Sequence, residues 1–175
     1  NCAFNKGDDK INVKKNREYV HKKFYSKKKI VLINQVHSNK VFFIDKITNQ
    51  ILSGDGIISK RKDLILGVLT ADCAPIVILG KKFFGIIHAG WKGAFSGVIK
   101  NTISKIKKGN STNKIYASVG PCINKKSYEV DTDFYKKFVS KSKNYKIYFS
   151  QKNKKKKFFN LRKFVTDNLL KYNVK

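Results

Sequence analysis

The sequence contains no methionine, and its 175 residues include 2 prolines, 3 cysteines and 1 tryptophan. A chain that opens at Asn1 without a methionine does not begin at a translation start, so an internal piece or a processed product is expected, and no apolar signal segment opens it. Cys2, Cys73 and Cys122 are odd in number and widely spaced, a poor disulfide framework, which points to a reducing, cytoplasmic setting. Long apolar runs are also absent. Ile65–Leu69 and Ile76–Leu79 fall far short of the roughly 20 residues a membrane helix needs, which excludes such a span. There is no internal repeat and no Pro- or Ser-rich linker, so a single domain over residues 1–175 is expected.

Acidic residues are scarce. Lys plus Arg number 39 against 11 Asp plus Glu, a formal net charge of +28. Such a balance ordinarily suggests nucleic acid, yet arginine is scarce too: only Arg17, Arg61 and Arg162 occur. The charge is lysine, accompanied by abundant Asn, Ile, Phe and Tyr, all with A/T-rich codons, so base composition accounts for it. Readers of bases and phosphates favour the arginine fork, and nucleic acid is not the expected main partner. The Lys152–Lys157 run reads as a solvated surface loop. What is present is material for a core: 41% apolar and 13% aromatic residues exclude a disordered chain.

Asp8 and Asp9 can cap a helix to about Lys23 with Val13, Val20 and Phe24 on one face. Ile30–Val36 reads as a strand ending at His37, with Val41–Asp45 as its hairpin or sequential partner. Further strands are expected at Ile65–Thr70, Ile76–Leu79, Phe83–His88, Lys114–Val119 and Tyr145–Phe149, with Gly80-Lys81-Lys82 as a tight turn. Helices are expected over Ala94–Lys107, stopped by Gly109, Asn110 and Ser111, and over Asp131–Ser140 and Leu161–Tyr172.

Chemistry-bearing residues cluster at strand exits, where function concentrates: Gln35-Val36-His37-Ser38, Asp72-Cys73 and His88-Ala89-Gly90-Trp91-Lys92-Gly93. Two imidazoles and a thiolate from His37, Cys73 and His88 suit Zn²⁺ with an open fourth position. Each also has a plainer reading, Cys73 as a small core residue and the histidines as hydrogen-bonded strand ends. Gly90 and Gly93 permit unusual backbone angles where a helix begins, so the corner is either an anion site with Lys92 as a cation or a simple turn. Trp91 is either a core anchor or a stacking platform, and Tyr128 and Glu129 are candidates to orient a ligand. Asp72, adjacent to Cys73, is the candidate acid/base.

Taken in order, QVHS, DGIIS, LTADCAPIVI, IIHAGWKGAFSGV and GPCI with SYEV resemble the laccase-domain family, long labelled multicopper polyphenol oxidase and later read as purine nucleoside phosphorylases. The resemblance covers most of the chain. It implies an α+β domain of mixed β-sheets flanked by helices, similar to the cysteine-hydrolase fold of deamidating toxins. It puts the metal ligands on His37, Cys73 and His88, with zinc the expected occupant and copper the older claim. It implies phosphorolysis of adenosine, inosine, guanosine and methylthioadenosine, with purine nucleosides and inorganic phosphate as partners, and deamination of adenosine. Catalytic roles then fall to Cys73, Asp72 and His88, and phosphate binding to Gly90, Trp91, Lys92 and Gly93.

The chain departs from the pattern at Lys92, where the family usually has Arg, and at Asn124, where it usually has Gly. The family's Arg-bearing glycine-rich opening and its aromatic C-terminal segment are not matched. Three alternatives compete: a hydrolase using Cys73 as nucleophile with His88, a copper-dependent phenol oxidase, and a basic nucleic-acid-binding module. With only His21, His37 and His88, imidazoles are few for a multicopper cluster.

Overall fold

The computed structural model describes residues 1–4, 7–23, 28–46, 51–108 and 114–175. It is a mixed α/β fold of several sheets flanked by helices. The order is α1 (Lys10–Lys23), β1 (Lys29–Val31), β2 (Val41–Ile44), β3 (Gly56–Ser59), β4 (Leu64–Leu66), β5 (Ala74–Gly80), β6 (Phe84–Ala89), α2 (Trp91–Ser96), α3 (Val98–Lys108), β7 (Ile115–Val119), β8 (Glu129–Asp131), α4 (Thr132–Lys141), β9 (Phe149–Gln151), β10 (Lys156–Phe159) and α5 (Leu161–Leu170).

The central sheet runs β2-β3-β6-β5-β7, with β2 and β3 parallel and the other pairs antiparallel. Its strands alternate as a pleated sheet must. Ile58 faces a large cluster that includes Ile76, Ile78, Ile87 and the α3 residues Ile99, Ile103 and Ile106, while Ile57 faces a smaller one with Ile33, Ile44 and Leu64. Because both faces of β3 are covered, all four of its residues are buried. Each isoleucine so buried contributes roughly 1.5–3 kcal/mol. Phe138 of α4, fully buried, meets the rings of Phe95, Phe134, Phe149, Phe159 and Phe164 and joins α4, α5 and the antiparallel sheet β8-β10-β9 to this core.

Several expectations are corrected. The strand expected over Ile30–Val36 stops at Val31, and its partner is β4, in a separate parallel pair, rather than β2. Ile65–Thr70 contracts to Leu64–Leu66. The single helix expected from Ala94 is two, divided at Gly97, whose φ of 101° is left-handed and open to glycine at little cost. Residues Lys143–Tyr148 form a 3₁₀ turn in place of the expected strand, which begins only at Phe149. Val20 is 41% exposed and leaves Val13 as the buried residue of α1. The Lys152–Lys157 run is exposed through Lys156, as a solvated loop is: Lys152–Lys155 form the turn of the β9/β10 hairpin, where Asn153 accepts the Lys155 and Lys156 N–H groups, and only Lys156 and Lys157 enter β10. Phe24 and the stop at Gly109, Asn110 and Ser111 lie outside the described residues.

Candidate metal centre

Strand register brings the chemistry together. In the β5/β6 ladder Pro75 faces His88 and Ala74 faces Ala89, so the same register sets Cys73 opposite Gly90. In the β3/β6 ladder Gly56 faces Ile87, which sets Asp55 opposite His88, and the His88 N–H donates to the Asp55 carbonyl at 2.8 Å. Cys73 therefore lies just ahead of β5 instead of closing a preceding strand, and His88 lies within β6.

His37 arrives from a tight turn with φ of 57°, an unusual value for a residue with a side chain, instead of from a strand end. Asp55 holds that turn. Its Oδ1 accepts the His37 N–H at 3.0 Å, and its Oδ2 accepts the Ser38 N–H at 2.5 Å and hydroxyl at 2.8 Å. Gln35 pins the turn from the other side by exchanging hydrogen bonds of 2.7 Å with both backbone groups of Leu69.

The ligating atoms of His37, Cys73 and His88 all lie within 4.8 Å of one another. Cys73 Sγ is 3.7 Å from His37 Nε2, and the two imidazole rings meet edge to face at 4.8 Å. His88 Nδ1 is 2.8 Å from Asp55 Oδ1, which turns Nε2 toward the other ligands. Two nitrogens and a sulfur clustered this way, with one imidazole oriented by a buried carboxylate, fit a borderline-soft divalent cation such as zinc. Burial works to lower the His88 pKa, but hydrogen bonds to Asp55 and Cys73 outweigh it and push it up to about 9. Burial likewise works to raise the Asp55 pKa, and the bonds from His88, Ser38 and His37 reverse it, leaving it below the ordinary value.

Gly90 serves packing. Its φ is −72°, ordinary for any residue, but a Cβ there would lie 2.8 Å from both Cys73 Sγ and the His37 ring. Gly93 is similar, since its Cβ would sit 2.9 Å from the Ser38 carbonyl. The expectation of unusual backbone angles at this corner is thus corrected to one of close approach.

The other sequence candidates divide. Lys92 is exposed on the first turn of α2, with Nζ 5.7 Å from the Trp91 ring centroid. Trp91 packs edge to face on Phe134 at 4.8 Å, the place of a core anchor. Asp72 is exposed, and its carbonyl accepts the Ile123 N–H at 2.9 Å. Burial, with the nearby charges of Cys73 and Asp72, raises the Tyr128 pKa to about 12, so its hydroxyl stays protonated beside the centre. Glu129 turns away into surface pairs with Lys152 and Lys156, correcting its ligand-orienting role. The sequence reading missed Asp55. The available signal was a lone carboxylate at the head of the apolar stretch Gly56-Ile57-Ile58, since an acid entering a core needs partners.

The family model described as multi-copper polyphenol oxidoreductase laccase matches residues 1–175. A Rickettsia conorii protein named purine nucleoside phosphorylase is 37% identical over 155 residues, taking in 87% of this chain and 64% of its own length. An Aquifex aeolicus protein of the same name is 38% identical over 130 residues, 73% of this chain and 63% of its own. The chain thus spans less than two thirds of the length of these relatives. Among solved structures, a Neisseria meningitidis protein superposes with a TM-score of 0.90 at 25% identity, covering 99% of this chain and 71% of that one. The Bacillus licheniformis hypothetical protein YfiH shares the fold, with a TM-score of 0.88 at 22% identity over 100% of this chain and 71% of its own.

Proposed function

Since the chain belongs to the multi-copper polyphenol oxidoreductase laccase family, we propose that it is the metal-holding catalytic part of a purine nucleoside phosphorylase. The observation that carries this reading is the convergence of His37, Cys73 and His88 to within 4.8 Å, in a chain whose relatives bear that name. The substrates are purine nucleosides (adenosine, inosine, guanosine and methylthioadenosine) and inorganic phosphate, the resident metal is zinc, and adenosine deamination is a second activity of the same centre. When bound, zinc supplies Lewis acidity and hydroxide at neutral pH.

The residues of the chain divide the remaining work. Asp55 holds the His88 ring through Nδ1 and the His37 turn through its backbone, so the ligand atoms stay in place as substrate enters. Asp72, exposed beside Cys73, is the acid/base that moves a proton to or from the purine. Lys92, together with the corner from Gly90 to Gly93, faces the phosphate. Residues 1–175 act as one domain, in the cytoplasm.

The test joins metal analysis to adenosine turnover with and without phosphate, on this chain and on a His37→Ala, Cys73→Ala, His88→Ala triple variant. Near-stoichiometric zinc and phosphate-dependent adenine release, both lost in the variant, are expected. Folded protein without metal would sink the reading. Asp72→Asn at full activity would remove the acid/base role, and an unchanged phosphate KM in Lys92→Ala would move the phosphate elsewhere.

One contact favours a second reading. Cys73 Sγ lies 3.7 Å from His37 Nε2, the pairing of a cysteine hydrolase, with His37 beside the His88 expected from sequence. Alkylation of Cys73 in the presence of stoichiometric zinc supports the hydrolase; protection by zinc supports the metal centre.

A further inference from the structure

The arginines of the chain are differently engaged. Arg61 pairs with Asp63 at 2.5 Å, and Arg17 donates to the Cys2 carbonyl at 2.8 Å with its guanidinium over the Phe4 ring. Arg162, exposed in the first turn of α5, has only neutral acceptors among the described residues. Its Nη2 donates to the Gly120 carbonyl at 3.0 Å, its Nη1 reaches the Val119 carbonyl at 3.4 Å, and its charge works to lower the Cys122 thiol pKa against the burial that raises it.

Those three residues lie beside the metal ligands. Ile76 faces Val119 in the β5/β7 ladder, the Gly120 N–H meets the Pro75 carbonyl at 2.9 Å, and the Ile123 N–H meets the Asp72 carbonyl at 2.9 Å. Carried along that register, Cys122 stands opposite Cys73, on the flank away from Gly90, and Gly120 stands opposite Pro75, itself the partner of His88. The guanidinium is thus tethered one strand away from two metal ligands. Helix α2, which carries Lys92, also packs against α5.

A guanidinium has five N–H donors, more than the two carbonyls here use. Held by neutral carbonyls, it keeps its whole charge, and its fork matches the oxygens of a tetrahedral anion. Arg162 is also the one arginine beside the centre, since Arg17 sits on α1 and Arg61 ahead of β4.

We propose that Arg162 is an anion-holding residue of this site, donating to inorganic phosphate on the β7 side of the metal centre. The inference deepens the phosphorolysis reading and rests on it for the identity of the anion. Arg162 reaches the anion from the β7 side and Lys92 from the α2 side, and the helices that carry the two cations, α5 and α2, pack against each other.

The test is calorimetric titration of inorganic phosphate into the zinc-loaded chain, at fixed ionic strength in chloride, comparing Arg162→Gln, Arg162→Lys and Lys154→Ala. Lys154 is an exposed cation of the β9/β10 hairpin and controls for the general attraction of a +28 chain. Arg162→Gln is expected to raise the phosphate Kd at least tenfold with zinc content unchanged, Arg162→Lys to raise it about threefold, and Lys154→Ala to leave it within twofold. If the Gln variant does not fold, the Lys variant decides. A Kd within twofold of wild type at both Arg162 variants, a change at Lys154→Ala equal to that at Arg162→Gln, or a zinc-loaded wild type that binds no phosphate overturns the inference. Phosphate held through Arg162 by a chain that releases no adenine keeps the inference and removes the phosphorolysis reading. Adenine release at unchanged phosphate KM in Arg162→Gln does the reverse.

Discussion

The carboxylate of Asp55, fully buried, accepts from His88 Nδ1 at 2.8 Å and also closes the turn that carries His37. One side chain therefore orients one ligand ring and fixes the backbone beneath another. The bond places a proton on His88 Nδ1 and leaves Nε2 to face Cys73 and His37.

Removing that carboxylate separates its two duties. Asp55→Asn is expected to weaken zinc binding about 10–100-fold, as loss of such outer partners does, read by competition with a chromophoric chelator. Asp55→Ala leaves His88 and the His37 and Ser38 N–H groups without their buried acceptor, and about 3–5 kcal/mol of stability is expected to go with it, measured by urea unfolding.

The same pair sets a pH dependence for the zinc-free chain. The folded His88 pKa, about 9, lies above the unfolded value of 6.5, so its contribution is complete below about pH 6.5 and is lost as pH rises through 9. The Asp55 pKa is depressed, so its share is present above the ordinary carboxylate value of 3.8 and is lost as pH falls through the folded value. Urea midpoints taken from pH 3 to pH 10 in chelator are expected to peak between about pH 5 and 6.5. Zinc is expected to flatten the alkaline limb, because a ligating His88 no longer carries the second proton.

Gly90→Ala directs a Cβ at 2.8 Å from Cys73 Sγ and the His37 ring. The variant is expected to fold, to hold zinc at least tenfold more weakly, and to expose Cys73 to alkylation. Unchanged zinc affinity would show that the ligands need no such clearance.

Gly97→Ala is the complementary case, strained at φ 101° while its Cβ would meet only Lys100 Cβ, at an ordinary 3.8 Å. A loss of about 1–2 kcal/mol is expected from the left-handed backbone, with zinc binding unaltered. Phe138→Ala, in the aromatic core, should cost about 3–5 kcal/mol, seen as a lower Tm.

The grouping of His37, Cys73 and His88 was legible in the sequence because metal-competent side chains are local features. His37, Cys73 and His88 do come together, although only His88 does so from a strand, and β5, β6, β7 and α4 match the apolar patterns within a residue or two. What was hidden depended on partners. β3 packs on both faces and so has no alternation to read, and the carboxylate at its head is invisible as a site residue until the ladder sets it opposite His88. Arg162 looks like one more cation of an amphipathic helix until β7 is seen to end beside it. The expected strand at Tyr145 was a matter of aromatic composition, which a 3₁₀ turn against the α5 core accommodates equally well.

His37, Cys73 and His88 come from different turns and strands, and the contacts that gather them join residues as distant in sequence as His37 and Cys73, or Asp55 and His88. A zinc finger presents its cysteines and histidines within one short segment, so that the ion can nucleate the fold around it. Here the pairing of β3, β6 and β5 must already exist before any two ligands share a neighbourhood, and such non-local pairings form slowly. On the proposed zinc reading, metal capture is an event of the folded chain, and a chelator is expected to strip the ion while leaving the sheet paired.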